Sequence, residues 1–300
     1  MTGCSHSQFI ILEVNVMNQF GGDWTRLKIE ILVDYAKAYL AIMNKYPYFR
    51  ILYFDGFAGT GFIINDKAKY PEITVGAARR IVEIDEPKSF DGYYFVEKDK
   101  NKASLLTENT KKVFPEKQDS IFIAEEEDCN DKLKALARHL KESKDIRKYD
   151  KVLAYIDPCG MQLEWNSLKL LQGTGVDIWI LVPTGMGVNR LLKRNGEISD
   201  AWIDRLIRFL GLSEDDIRKF FFKEETVHTL FGEQTKITKT ERAIEKAAKL
   251  YKNRLEEVFN HVTAPFPLRN KTNSTMYHLI FASNNVTAPN IATDIIKKYS

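Results

Sequence analysis

A chain of 300 residues, 44% hydrophobic and 28% charged with only 9 Pro and 16 Gly, can bury a sizeable core, which excludes a disordered or fibrous class. A formal net charge of +3 is too small to argue for a nucleic-acid partner alone. Three Cys without a CxxC spacing and five scattered His support neither a disulfide framework nor a metal site. No run approaches the length of a membrane span, and the apolar stretch within residues 1–22 lacks the basic leader of a signal peptide. The expectation is a cytoplasmic protein whose first 22 residues form a lead-in.

From residue 23 the pattern is regular. Residues 23–46 place Leu27, Ile31, Tyr35, Ala38 and Ile42 on one face, the spacing of an amphipathic helix. The stretch FRILYFDGFAGTG, 49–61, is an apolar strand that breaks into a Gly-rich turn. Residues 72–84 read as a helix, 92–99 as a second strand, 100–114 as a helix and 120–127 as a third strand. A helix over 130–143, a strand over 151–157, a helix over 164–172 and a strand over 176–183 follow. Five short apolar strands alternating with helices favour a parallel sheet with right-handed crossovers.

Beyond Pro183 the order changes. Residues 199–212, 213–222 and 238–259 read as helices, with an extended piece near Val227–Leu230. Residues 261–267 and 276–284 then read as an antiparallel pair, and 290–299 as a closing helix. The expected fold is α/β and Rossmann-like: a seven-stranded, mostly parallel sheet over 23–300 with a C-terminal antiparallel hairpin. A helical insert, about 199–260, separates strands five and six.

Strand ends carry the chemistry in such a sheet, because ligands bind where backbone N–H groups and loops gather at the carboxyl edge. After the first strand comes Asp55, then Phe57-x-Gly59-x-Gly61. The two glycines let the backbone approach a ligand closely. The spacing is neither GxGxxG nor a phosphate loop. Glu97, at the end of the second strand, can accept both hydroxyls of a ribose. Asp99 competes with it. Asp128, after the third strand, can take an adenine amino group; the bland alternative is a solvated loop or helix cap. Asp157-Pro158 ends the fourth strand beside the first, where a carboxylate and a carbonyl can hold a target amine. The fifth strand leads to Asn189, Arg190, Lys193 and Arg194, a basic loop suited to phosphate, although basic faces are most often merely solvated.

Asp-Pro followed by Pro-aromatic is the form in which amino-group methyltransferases stack a base. Here Cys159 and Gly160 stand in those places, so the ring must come from elsewhere, with Trp165 and Phe62 as candidates, or the acceptor is not a base. No His is tied to Cys159 by sequence, which argues against a nucleophilic cysteine.

The segments QFGGDWTRLKIEILVDYAKAYL, YFDGFAGTG, YYFVEKDK, IDPCGMQLEW and DIWILVPTGMGVNRLLKRNGEISDAWIDRL resemble the three-Cys-motif partner proteins (TcmP), as does NSTMYHLIFASNN near the end. The resemblance runs in order over about residues 18–298. It implies the class I fold of S-adenosylmethionine-dependent methyltransferases and a partner protein carrying a three-cysteine motif. Members usually show an aromatic where Cys159 stands. On this reading Asp55, Phe57, Gly59, Gly61, Glu97 and Asp128 hold S-adenosylmethionine. Asp157 and Pro158 face the acceptor, and Asn189, Arg190 and Trp165 contact it. The expected activity is methyl transfer to an amine, with nucleic acid the foremost acceptor. The alternative is a binding module that retains the fold and works only through its partner. An NAD-dependent oxidoreductase is disfavoured by the Gly spacing and by the C-terminal hairpin.

Overall fold

The strands are apolar at almost every position because helices cover both faces of the sheet. In the computed structural model, which describes residues 23–65, 72–142, 150–193, 197–229 and 232–300, five strands pair in parallel. They are β1 (Arg50–Asp55), β4 (Gly92–Glu97), β5 (Ile121–Glu125), β6 (Asp150–Ile156) and β7 (Val176–Val182), in the spatial order β5-β4-β1-β6-β7. A long strand, β12 (Thr275–Ser283), continues the sheet antiparallel to β7. The position beyond it is shared by two short strands, β10 (His261–Val262) and β11 (Phe266–Arg269), which pair in turn with the outer edge of β12. The seven-position Rossmann-like sheet is therefore present, its sixth strand split in two.

Alternation along the strands divides the core. Val152, Ala154 and Ile156 of β6 and Ile178, Ile180 and Val182 of β7 face one way. There they pack with α4 (Cys129–Glu142), α5 (Trp165–Lys169), α7 (Asp200–Leu210), α8 (Glu214–Phe221) and α9 (Ala243–Leu255). Leu153, Tyr155, Trp179 and Leu181 face the other way, against α1 (Asp23–Met43), α2 (Ala77–Val82), α3 (Lys100–Thr107) and α10 (Ala288–Lys297). A three-residue turn of helix, α6 (Asn189–Leu191), follows β7.

Three expectations change. The helix over 72–84 begins late: Glu72–Val75 is a strand, β3, paired antiparallel with β2 (Phe62–Asn65). The run Ile73-Thr74-Val75 is β-branched and favours extended backbone, and only from Ala77 does the chain turn helical. The insert is not all helix. Residues Phe222–Thr229 (β8) and Gly232–Lys239 (β9) form an antiparallel hairpin, as their threonines and β-branched residues favour. The buried face of α1 is also wider than the expected stripe. Ile31 and Tyr35 are buried and Leu27 and Ala38 pack against the core as expected; Leu32, Ala36, Tyr39, Leu40 and Met43 join them, and Ile42 alone of the five is off the face, 38% exposed. The lead-in expected for 1–22 lies outside the described residues.

One polar contact sets the register of α1. The Tyr35 hydroxyl donates to Asp177 Oδ2 (3.0 Å), and Asp177 also accepts from Ser283 (2.5 Å). Asp177 lies near the start of β7, so this anchor directs the first turns of α1 to the opposite, carboxyl edge of the sheet.

Candidate functional site

The period of two brings a pair of carboxylates together. Tyr53 and Tyr155 face α1 from neighbouring strands, and Asp55 is the register partner of Tyr155. Asp55 and Asp157, each two residues beyond its tyrosine, therefore emerge on the same side. Asp55 is fully buried. Its Oδ1 accepts from the Phe57 N–H (3.1 Å) and its Oδ2 from the Tyr53 hydroxyl (3.4 Å). Burial, reinforced by the charges of Asp157 and Glu97, raises its carboxyl to about 7 against the pull of the Phe57 N–H. Asp157 accepts from the Tyr155 hydroxyl (3.2 Å) and from the Lys28 ammonium of α1.

The raised carboxyl has a consequence for stability. An unfolded Asp titrates near ~3.9, and the folded group holds its proton to about 7. The folded chain therefore binds more protons in that window and loses stability as pH rises through it. Asp55→Asn keeps an acceptor for Phe57 and cannot ionise. Its urea midpoint should exceed the wild-type value at pH 8, and the difference should close toward pH 4. A difference that does not vary with pH would contradict the assignment.

Lys28 and Asp157 stand at a narrow cavity of about 80 Å3. Its walls are the first turns of α1, the Gly59–Ile63 turn, the Asp157–Cys159 lip and Tyr277. Two details mark it. The Thr25 hydroxyl oxygen is buried there without a hydrogen-bond partner among the described residues, and the indole of Trp24 stacks on Tyr277 with centroids 4.9 Å apart and planes at 29°. Burial and the nearby Asp157 and Cys159 push the Tyr277 hydroxyl up to about 12. Sequence reading missed Trp24, Thr25, Lys28 and Tyr277. A signal existed for two of them: Thr25 and Lys28 extend the apolar stripe of α1 as polar positions at helical spacing.

A wider cavity of about 800 Å3 adjoins the first; Phe57, Gly59 and Cys159 line both. The turn between them is built from Gly59 and Gly61, at φ 65° and 80°, a left-handed backbone that other residues rarely adopt. Glu97 fastens this turn: one carboxylate oxygen accepts the Gly59 N–H (3.0 Å), the other the Asp99 N–H (2.9 Å). Asp99 itself caps α3 by accepting from the Lys102 N–H (3.0 Å), so of the two competing acids only Glu97 lines the cavity.

Asp128 lies across from Glu97. Its Oδ1 accepts both the backbone and the side-chain N–H of Asn130 (2.9 and 3.0 Å), and its Oδ2 accepts from Lys98 (3.3 Å). Burial would raise this carboxyl; the Asn130 and Lys98 donors outweigh burial and lower it. Asn130 in turn donates to the Gln162 carbonyl (2.9 Å) and accepts from the Glu164 N–H (2.8 Å). The loop after Gly160 is thereby locked against the start of α4.

No family model matches this sequence, and no curated protein matches it. The solved structures that resemble the fold include two from microbial proteins. A Legionella pneumophila protein assigned to the DUF519 family model has 11% identity and a TM-score of 0.47, over 93% of this chain and 92% of that one. Trm1 from Pyrococcus horikoshii, solved as a complex with S-adenosyl-L-methionine, has 12% identity and a TM-score of 0.39, over 93% of this chain and 72% of that one. Neither is similar enough for its ligand to bear on this chain.

The structure brings Asp55, Phe57, Gly59, Gly61, Glu97, Asp128, Asp157 and Pro158 around one cleft. Three expected contacts are not there. Trp165 is 2% exposed, packed edge-on against Tyr251 with the Arg254 guanidinium 4.5 Å above its ring; it is core, because α7 and α9 close over α5. Asn189 is engaged by Lys239 of the hairpin, which donates to its side-chain oxygen (2.6 Å) and its carbonyl (3.0 Å). Arg190 is exposed beside it, and neither residue lines the cleft. Arg194 lies outside the described residues. Among the described residues, no cluster of three or more His, Cys, Asp or Glu is arranged for a metal, and no helix is long and apolar enough to cross a membrane.

Proposed function

We propose that this chain transfers a methyl group from S-adenosylmethionine to an amine, with nucleic acid the foremost acceptor. The observation that carries the reading is the convergence of Gly59, Glu97 and Asp128 on the wider cavity, which shares Phe57, Gly59 and Cys159 with the narrow one that Gly61 and Asp157 line. The donor set fits the cofactor. Glu97 and Asp128 are acceptors for ribose hydroxyls and an adenine amino group. Phe57, Val96, Cys129 and Met161 give an apolar surface, and the orphaned Thr25 hydroxyl awaits a polar group at the α1 end.

The cofactor, when bound, supplies an activated methyl group. The residues of this chain hold the nucleoside and orient the acceptor, which is most of what an in-line displacement asks of a protein. Asp157 accepts from the amine and turns its lone pair toward the methyl, and buried Pro158 fixes the lip behind it.

Calorimetric titration with S-adenosylmethionine, S-adenosylhomocysteine and NAD tests the reading. The two sulfur nucleosides should bind and NAD should not. Glu97→Ala should weaken them about tenfold, equivalent to ~1.4 kcal/mol, the scale of one hydrogen bond to a charged acceptor. Binding of NAD in preference would instead favour the oxidoreductase.

A second reading has its own observation. Lys28 already occupies Asp157, and Cys159-Gly160 offers no ring. Both suit a module that binds cofactor and acts through a partner protein, the three-cysteine-motif protein implied by the resemblance. Tight S-adenosylhomocysteine binding, no transfer to any acceptor and co-purification of such a partner would favour it.

A further inference from the structure

The lip that follows Asp157 supplies no aromatic surface, yet the cleft contains one. Trp24 and Tyr277 enter from elements far apart in sequence, the first turn of α1 and the start of β12, and stack on each other beside Asp157. Tyr277 is buried and backs the pair; Trp24 is half-buried and lines the cavity. A nitrogen already sits in front of them. The Lys28 ammonium donates to Asp157 and lies 5.1 Å from the centroid of the Trp24 ring. A carboxylate with an indole beside it is a seat for a nitrogen carried on, or held above, an aromatic plane.

We propose that Trp24, backed by Tyr277, is the stacking platform for the amine-bearing base of the acceptor. The base's nitrogen lies on Asp157, in the place the Lys28 ammonium fills here. The proposal rests on the methyltransferase reading and names its acceptor as an unpaired nucleobase with an exocyclic amine. Lys102, Arg205 and Arg208 line the adjoining cavity among five carboxylates, Arg208 3.9 Å from Glu164, cations that a phosphate backbone can contact. Transfer to the seated nitrogen forms an N–C bond from its lone pair and breaks the methyl–sulfur bond of the sulfonium. The electron pair stays on sulfur as a thioether. The nitrogen loses one proton, which Asp157 receives and passes to water.

Tryptophan fluorescence reads the platform without turnover. The protein is titrated with short single-stranded oligomers of deoxyadenylate, deoxycytidylate or thymidylate, with and without saturating S-adenosylhomocysteine. The adenine and cytosine oligomers should quench emission, and thymidylate, which has no amine for Asp157, should bind at least about fivefold more weakly. Trp24→Leu should abolish the quench and weaken the adenine and cytosine oligomers by at least about fivefold, the lower end for one lost stacked base. Trp24→Phe should bind them within about twofold of wild type. Equal affinity of wild type and Trp24→Leu, or of thymidylate and the amine-bearing oligomers, would overturn the proposal, as would no oligomer binding at all. Should the Leu variant fail to fold, the comparison among oligomers on the wild type still decides. Failure of S-adenosylhomocysteine to bind is a separate result: it removes the methyltransferase reading and leaves the stacking measurement, made without cofactor, to stand or fall alone.

Discussion

Trp165→Ala is expected to destabilise the fold by about 3–5 kcal/mol, the range for truncating a large aromatic in a packed core. That is a large share of the ~5–15 kcal/mol that holds a domain together. Trp165 opens α5 and is sealed from three sides. Tyr251 of α9 meets it edge-on at 6.1 Å, the Arg254 guanidinium covers its ring, and Gly211 approaches so closely that an added Cβ would lie 2.0 Å from the indole Cδ1. Arg254 is tied down in turn, donating to the Leu210 and Gly211 carbonyls (3.2 and 3.0 Å) at the end of α7. Alanine would leave a void that these anchored neighbours cannot close, whereas Trp165→Phe should lose less than half as much. Urea midpoints of the two variants check this. If Trp165→Ala instead kept its midpoint and weakened oligonucleotide binding, the indole would belong to the acceptor site after all.

The misplacement of Trp165 shows what a linear pattern can and cannot reveal. Glu97, Asp128 and Asp157 were legible because each follows an apolar run, and a parallel sheet gathers such ends at one edge by topology alone. The same logic could not place Trp165. Eight residues beyond Asp157, an indole in a loop-to-helix sequence is equally consistent with a cleft wall and with a core, and the decision falls to α9, some 80 residues later. Trp24 and Tyr277 were illegible for the complementary reason. They lie some 250 residues apart, and their stacking depends on the crossing of α1 over β12, which the Tyr35–Asp177 hydrogen bond fixes. The hairpin β8–β9 was legible only in part: the extended piece near Val227–Leu230 overlaps β8, but the strongly polar sequence of β9 offers a strand little beyond its β-branched residues. The basic loop shows the same limit. Asn189 is held by a lysine from the hairpin, a contact that no local spacing encodes.

The ion pair between Lys28 and Asp157 should dominate a double-mutant cycle. Their side chains are only 7% and 19% exposed, so each single change strands a charge in a poorly solvated place. Lys28→Met leaves Asp157 with the Tyr155 hydroxyl as its remaining side-chain donor among the described residues. Asp157→Asn leaves the more deeply buried ammonium without its carboxylate, beside the Trp24 ring. Breaking a buried pair from one side typically costs ~3–5 kcal/mol. The exposure of Asp157 places Lys28→Met at the lower end, about 3 kcal/mol, with Asp157→Asn the larger of the two. The double variant removes both charges together and should cost clearly less than the sum, with a coupling of about 1–3 kcal/mol. Additive losses in urea denaturation would mean that the two side chains stabilise the fold independently and that the pair is incidental. Strong coupling would mean that α1 is held over the carboxyl edge by Asp157, the carboxylate proposed to hold the acceptor, so that on that proposal binding an acceptor and loosening the first turns of α1 would be one event.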